Sequence, residues 1–160
     1  MIVIWIDPGT TTVWYAISKI NSHKKELIDY WVIQTIPKSS FEDKILEISK
    51  DIDFLIKKYK PQKVVIEKLF FSRNITNWID VAWARGVIIY KFKKAWVLIE
   101  EYTPLQLKSA ICWNWKASKI QLQNAIKIFF NLKEIPKPDD AADAIWLSYM
   151  WLLNNKNIKQ

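Results

Sequence analysis

Four carboxylates in this 160-residue chain, Asp7, Glu67, Asp140 and Asp143, stand where side chains are delivered to an edge. Asp7 follows the apolar run 2–6 and precedes Pro8-Gly9-Thr10, where a buried strand meets a turn. Glu67 ends the apolar run 64–66 in the same manner, so two adjacent parallel strands would present both acids at one edge. Asp140 and Asp143 are spaced i, i+3 at a helix start, on one face, where the positive helix end keeps them ionised. Carboxylates gathered in one place repel unless cations intervene, and hard oxygen ligands select Mg²⁺ or Mn²⁺. Two such ions about 4 Å apart stabilise the attacking and leaving oxygens of phosphodiester hydrolysis. Taken singly, Asp7-Pro8-Gly9 is also a plain turn, and Asp139 or Asp140 a plain helix cap; only the joint arrangement points to chemistry.

These acids need a scaffold, and the hydrophobic pattern supplies one. Strands are predicted at 2–6, 13–20 and 27–35, with the polar residues 21–25 between the last two, as in an antiparallel meander. Phe41, Ile45, Ile48, Ile52, Leu55 and Tyr59 recur at alternating steps of four and three, an amphipathic helix with Ser40 and Asp43 at capping-box spacing and Pro61 beyond its end. The strand 64–66 returns as the parallel neighbour of a βαβ-like unit. A helix is expected at 78–93, a strand at 97–102, a short helix from Pro104, another after Ser118 and a last one at 141–153. The result is a mixed sheet with helices packed on it, one domain over 1–153 with a polar tail at 154–160.

Lys and Arg number 24 against 16 Asp and Glu, a net charge of +8, which favours a polyanionic partner such as nucleic acid. The lone cysteine, Cys112, excludes an internal disulfide framework and reads as a small buried residue. No run approaches the roughly 20 apolar residues of a membrane span, and Asp7 interrupts any signal-peptide core, so a cytoplasmic protein is expected. His23 falls in a predicted turn and is assigned no chemistry.

The segments IDPGT at 6–10, VVIEKLFF at 64–71, ARGV at 84–87, EYTPLQLK at 101–108, KASK at 116–119 and DDAADA at 139–144 resemble, in family order, the RuvC Holliday-junction resolvases of the RNase H-like superfamily. The resemblance implies an RNase H-like three-layer α/β fold, a mixed five-stranded sheet flanked by helices. It implies that Asp7, Glu67, Asp140 and Asp143 are the catalytic, metal-binding carboxylates for two Mg²⁺ per subunit, with Mn²⁺ as a substitute. It also implies DNA contacts: Phe70 stacking on bases at the opened junction centre, and Arg73, Lys108, Lys116 and Lys119 as basic contacts, the lysines Lys108 and Lys119 near the scissile phosphates. The implied activity is that of a homodimeric endodeoxyribonuclease that nicks a four-way DNA junction at symmetric places, in partnership with the RuvA–RuvB branch-migration machine. Rival readings are another RNase H-like nuclease, a junction-binding protein with impaired catalysis, or an actin-like kinase, which IDPGT also resembles but which needs two such domains.

One oddity remains: the chain holds 10 tryptophans and 2 glycines. The sum approaches the ordinary glycine share of about 7%, as though the two had been exchanged. Several tryptophans sit beside turns or strand ends where glycine would serve, as in Trp5-Ile6-Asp7-Pro8-Gly9 and Cys112-Trp113-Asn114-Trp115. The resemblance places Trp5, Trp14, Trp31, Trp96, Trp113 and Trp115 where these resolvases usually carry glycine, whereas Trp78, Trp83, Trp146 and Trp151 fall at small or variable positions. A reassigned stop codon meaning glycine would produce this pattern; the rival reading is a genuinely Trp-rich aromatic core or a nucleic-acid stacking surface. Were the indoles real, Trp5 and Trp14 are expected to overpack the strands beside Asp7 at a cost of at least about 1–3 kcal/mol each and to threaten its position.

Overall fold

The computed structural model describes residues 1–21, 25–69 and 75–103, together with 124, 127 and 128. The elements run β1 (Ile2–Asp7), β2 (Thr12–Ile20), β3 (Lys25–Gln34), α1 (Phe41–Tyr59), β4 (Lys63–Glu67), α2 (Ile75–Lys94) and β5 (Leu98–Tyr102). The expected helices from Pro104, after Ser118 and over 141–153 lie outside the described residues, as do Cys112 and His23.

The strands form a single five-stranded sheet in the order β3-β2-β1-β4-β5. The first three strands are the expected antiparallel meander, with a register shift in the β2–β3 pairing between Ile17 and Ser18, where Ile28 of β3 is the extra residue. β1 pairs with β4 in parallel, and β4 pairs with β5 in parallel. The mixed α/β architecture predicted from the sequence is therefore present.

Alternation along each strand divides the sheet into two faces. Ile4, Ile6, Val13, Ile17, Val64 and Ile66 pack on one face with Ile48, Ile52 and Leu55 of α1 and Ala84, Ile88 and Phe92 of α2. Val3, Trp5, Ala16 and Val65 are buried too but stand apart from that cluster, on the opposite face.

α1 begins where expected: Ser40 is extended at φ −61° and ψ 159°, and its hydroxyl accepts the Asp43 N–H at 3.1 Å. The carboxyls of Glu42 and Asp43 complement the first turn, and Lys57 and Lys58 the last. The helix closes on left-handed Lys60, whose N–H donates to the Ile56 carbonyl at 2.9 Å, immediately before Pro61. The expected strand 97–102 begins one residue later, at Leu98, because Val97 is spent in the cap that ends α2.

Candidate active site

Sheet pairing brings together two of the four predicted acids. Ile6 lies opposite Ile66 in the parallel β1–β4 register, and each is followed by the carboxylate that ends its strand, Asp7 and Glu67. By strand alternation both acids share the face of Trp5 and Val65, away from α1 and α2. Both are half-buried, which keeps them reachable by a polar substrate.

The turn after Asp7 is held by contacts of its own. A Cβ on Gly9 would lie 2.1 Å from the Thr12 carbonyl oxygen, so the chain closes there only because glycine has no side chain. Buried Thr35, just past β3, donates its hydroxyl to the Thr10 carbonyl at 3.1 Å and its N–H to the Thr11 carbonyl at 3.1 Å. β3 thereby pins the turn that Asp7 enters.

The end of β4 is anchored on both sides. The Lys68 N–H donates to the Tyr102 carbonyl at 2.7 Å, which carries the β4–β5 pairing one step past Glu67. From α2, Arg85 donates its Nε–H to the Glu67 carbonyl at 3.2 Å and pairs its guanidinium with Glu101 of β5. Burial lowers the Arg85 pKa from its usual value, yet a guanidinium stays charged over the physiological range. Nearby on β5, Glu100 accepts from Lys63 at 2.8 Å and from the Tyr102 hydroxyl at 2.6 Å. The sequence motifs containing Arg85 and Glu101 were visible, but these contacts require knowing that α2 runs beside the ends of β4 and β5. Thr35 carried no signal in the sequence.

Asp140 and Asp143 lie outside the described residues, as do Phe70, Arg73, Lys108, Lys116 and Lys119. Among the described residues no group of three or more His, Cys, Asp or Glu is placed to hold a metal ion. Asp7 and Glu67 supply hard carboxylate oxygens of the kind Mg²⁺ and Mn²⁺ take, so the part of the donor set described here fits such an ion.

Trp5 sits within a regularly paired β1. Its side chain is fully buried, and β1 pairs without irregularity with β2 from Ile2 through Asp7. Trp14 is the register partner of Asp7 itself. No described helix is long and apolar enough to cross a membrane.

Comparison with known proteins places this fold. The family model for crossover junction endodeoxyribonuclease RuvC matches residues 3–150. The chain is 42% identical over 148 residues to the RuvC crossover junction endodeoxyribonuclease of Halothermothrix orenii, covering 92% of this chain and 90% of that one. It is 44% identical over 145 residues to the same enzyme of Fusobacterium nucleatum, covering 91% of this chain and 76% of that one. In three dimensions it matches T. thermophilus RuvC, solved in complex with a Holliday junction substrate, at a TM-score of 0.85 and 24% identity over 98% of this chain and 96% of that one. The chain belongs to the RuvC family of crossover junction endodeoxyribonucleases.

Proposed function

We propose that this protein is a metal-dependent endodeoxyribonuclease that resolves four-way DNA junctions by paired, symmetric nicks, with Asp7, Glu67, Asp140 and Asp143 as its catalytic carboxylates. The observation that carries the reading is the parallel Ile6–Ile66 pairing, which sets Asp7 and Glu67 side by side at the ends of neighbouring strands. Family membership supports the substrate, and the net charge of +8 suits a polyanion.

Asp7, Glu67, Asp140 and Asp143 would hold two Mg²⁺. When bound, these supply Lewis-acid stabilisation of the oxygens that attack and leave the phosphorus. The chain's own contribution is placement. β1 and β4 fix two carboxylates on one rigid edge, and the Gly9 turn and Thr35 hold the exit of β1. No protein nucleophile is needed; water attacks, the phosphodiester bond breaks, and the products carry 5′-phosphate and 3′-hydroxyl ends. Phe70 is assigned to stacking on unpaired bases, and Arg73, Lys108, Lys116 and Lys119 to phosphates.

The working form in this reading is a homodimer, because paired cuts in a two-fold junction need two copies of one site. Exposed Ile79, Trp83 and Tyr90 along α2 give a second copy an apolar face. Residues 1–153 are taken as one nuclease domain in the cytoplasm, with RuvA–RuvB as partner; the family match over 3–150 supports the domain. The test is cleavage of a synthetic four-way junction and of a linear duplex of the same sequence, each with Mg²⁺ or with chelator. The reading predicts cutting of the junction alone, and only with metal. Equal cutting of the duplex, or cutting in chelator, would reject it.

A further inference from the structure

We infer that Arg85 is a positioning residue for Glu67, an inference that rests on the carboxylate reading above. Glu67 is the last residue of β4, and the peptide that follows it is held to β5 on one side only, where the Lys68 N–H donates to the Tyr102 carbonyl at 2.7 Å. A second bond, on the carbonyl of the same peptide, fixes the tilt of the plane from which the Glu67 side chain departs. Arg85 adds this bond from α2: its Nε–H reaches the Glu67 carbonyl at 3.2 Å while its guanidinium is paired with Glu101, the residue opposite Ile66 in the β4–β5 register. One planar fork on α2 therefore clasps the ends of two strands. The Arg85 side chain is only 17% exposed, whereas Glu101 at the outer end of the clasp is open to solvent. A lysine has the charge but no fixed fork, and cannot serve both acceptors in one geometry. Displacing a reacting group by about 1 Å can cost on the order of 10²-fold in rate, so the clasp acts on turnover through Glu67.

The test compares full-length Arg85→Met, Arg85→Lys, Glu101→Gln and Glu67→Gln for junction affinity in chelator, and for kcat and Mg²⁺ half-saturation on a saturating junction. Arg85→Met is expected to lower kcat by roughly 10–100-fold and to raise the Mg²⁺ half-saturation, the range seen when outer partners of metal ligands are removed, with junction affinity within about twofold. Arg85→Lys should recover part of that loss. Glu101→Gln keeps the carbonyl contact and should fall between wild type and Arg85→Met, which preserves the test if Arg85→Met folds poorly. Wild-type kcat and Mg²⁺ response in both Arg85→Met and Glu101→Gln would overturn the inference. So would loss of stability and junction affinity in step with cutting while the Mg²⁺ half-saturation stays put. Unchanged cutting by Glu67→Gln would instead sink the carboxylate reading, and this inference with it.

A separate observation lies at the far end of α2. The Trp96 N–H donates to the Lys93 carbonyl at 3.0 Å and the Val97 N–H to the Phe92 carbonyl at 3.0 Å, the paired bonds of a Schellman cap. Buried Val97 and Phe92 make its usual apolar contact positions. The left-handed residue of such a cap is normally glycine, yet here it is Trp96, at φ 60°. Lys38 and Lys60 also take positive φ, but with unbranched, flexible side chains; for a bulky residue the conformation is a genuine outlier. Trp96 is 90% exposed, so no packing of the indole explains its presence. Together with 10 tryptophans against 2 glycines, the geometry points to a codon at position 96 that the source organism decodes as glycine. Peptide mass spectrometry of the protein from its own cells should find glycine at 96; tryptophan there, or an ordinary tryptophan codon in the gene, would overturn it. In the recombinant chain Trp96→Gly should raise the denaturation midpoint and Trp96→Ala should not, since alanine keeps the left-handed penalty. Equal effects of the two would remove the structural argument.

Discussion

Ile6 and Ile66 face each other across the parallel β1–β4 pair, and the residue after each is a carboxylate. Parallel pairing makes neighbouring strands end on the same side, so the acids are neighbours by topology. The chain needs no loop ordering to bring these two together.

Asp7→Asn and Glu67→Gln should each keep junction binding and lose cutting. Changing an outer partner of a metal ligand costs about 10–100-fold, so removing a ligand charge should exceed roughly 100-fold. Cleavage rates beside gel-shift affinities in chelator check this.

Gly9→Ala should damage both stability and activity. The new methyl group would meet the Thr12 carbonyl oxygen at 2.1 Å, a backbone atom that cannot rotate aside. Relief requires opening the turn that follows Asp7, at a cost of about 1–3 kcal/mol, read by urea denaturation. Cutting should fall further than stability alone explains, because the turn carries a ligand strand. Gly86→Ala, where an added Cβ meets nothing within 4 Å, serves as the control.

Ile52→Ala should destabilise by about 2–5 kcal/mol, as for other fully buried aliphatic side chains. Ile52 seats α1 on the helix-covered face, opposite the acids. At temperatures where the variant stays folded, its kcat should therefore match wild type.

Alkaline pH should weaken the fold through Tyr15. Burial, with Asp29 adding to it, pushes this phenol from 10.0 up to about 12. Because the folded pKa is the higher one, its contribution is fully present below pH 10 and is lost as pH rises toward 12. In Tyr15→Phe the midpoint should fall less over that window than in wild type. Identical pH profiles would contradict the assignment.

Much of this was legible in the sequence because period and punctuation are local. The α1 stripe with Ser40 before it, and the apolar runs ending in Asp7 and Glu67, are written in consecutive residues. Arg85 and Thr35 were not read as parts of the site, since each acts on a residue distant in the chain. The complete burial of Trp5 within a regularly paired β1 was not legible, because the sequence does not say what lies against the far sheet face. Trp96 is the converse case: an awkward residue in the sequence that the cap geometry turns into a definite anomaly.

The most direct measurement is anomalous diffraction from crystals grown with Mn²⁺, collected at the manganese edge. The account predicts anomalous peaks against Asp7 and Glu67, with carboxylate oxygens of Asp140 and Asp143 completing the coordination, as expected of a hard divalent ion. Manganese bound elsewhere, or Asp140 and Asp143 on a surface remote from Asp7, would contradict it.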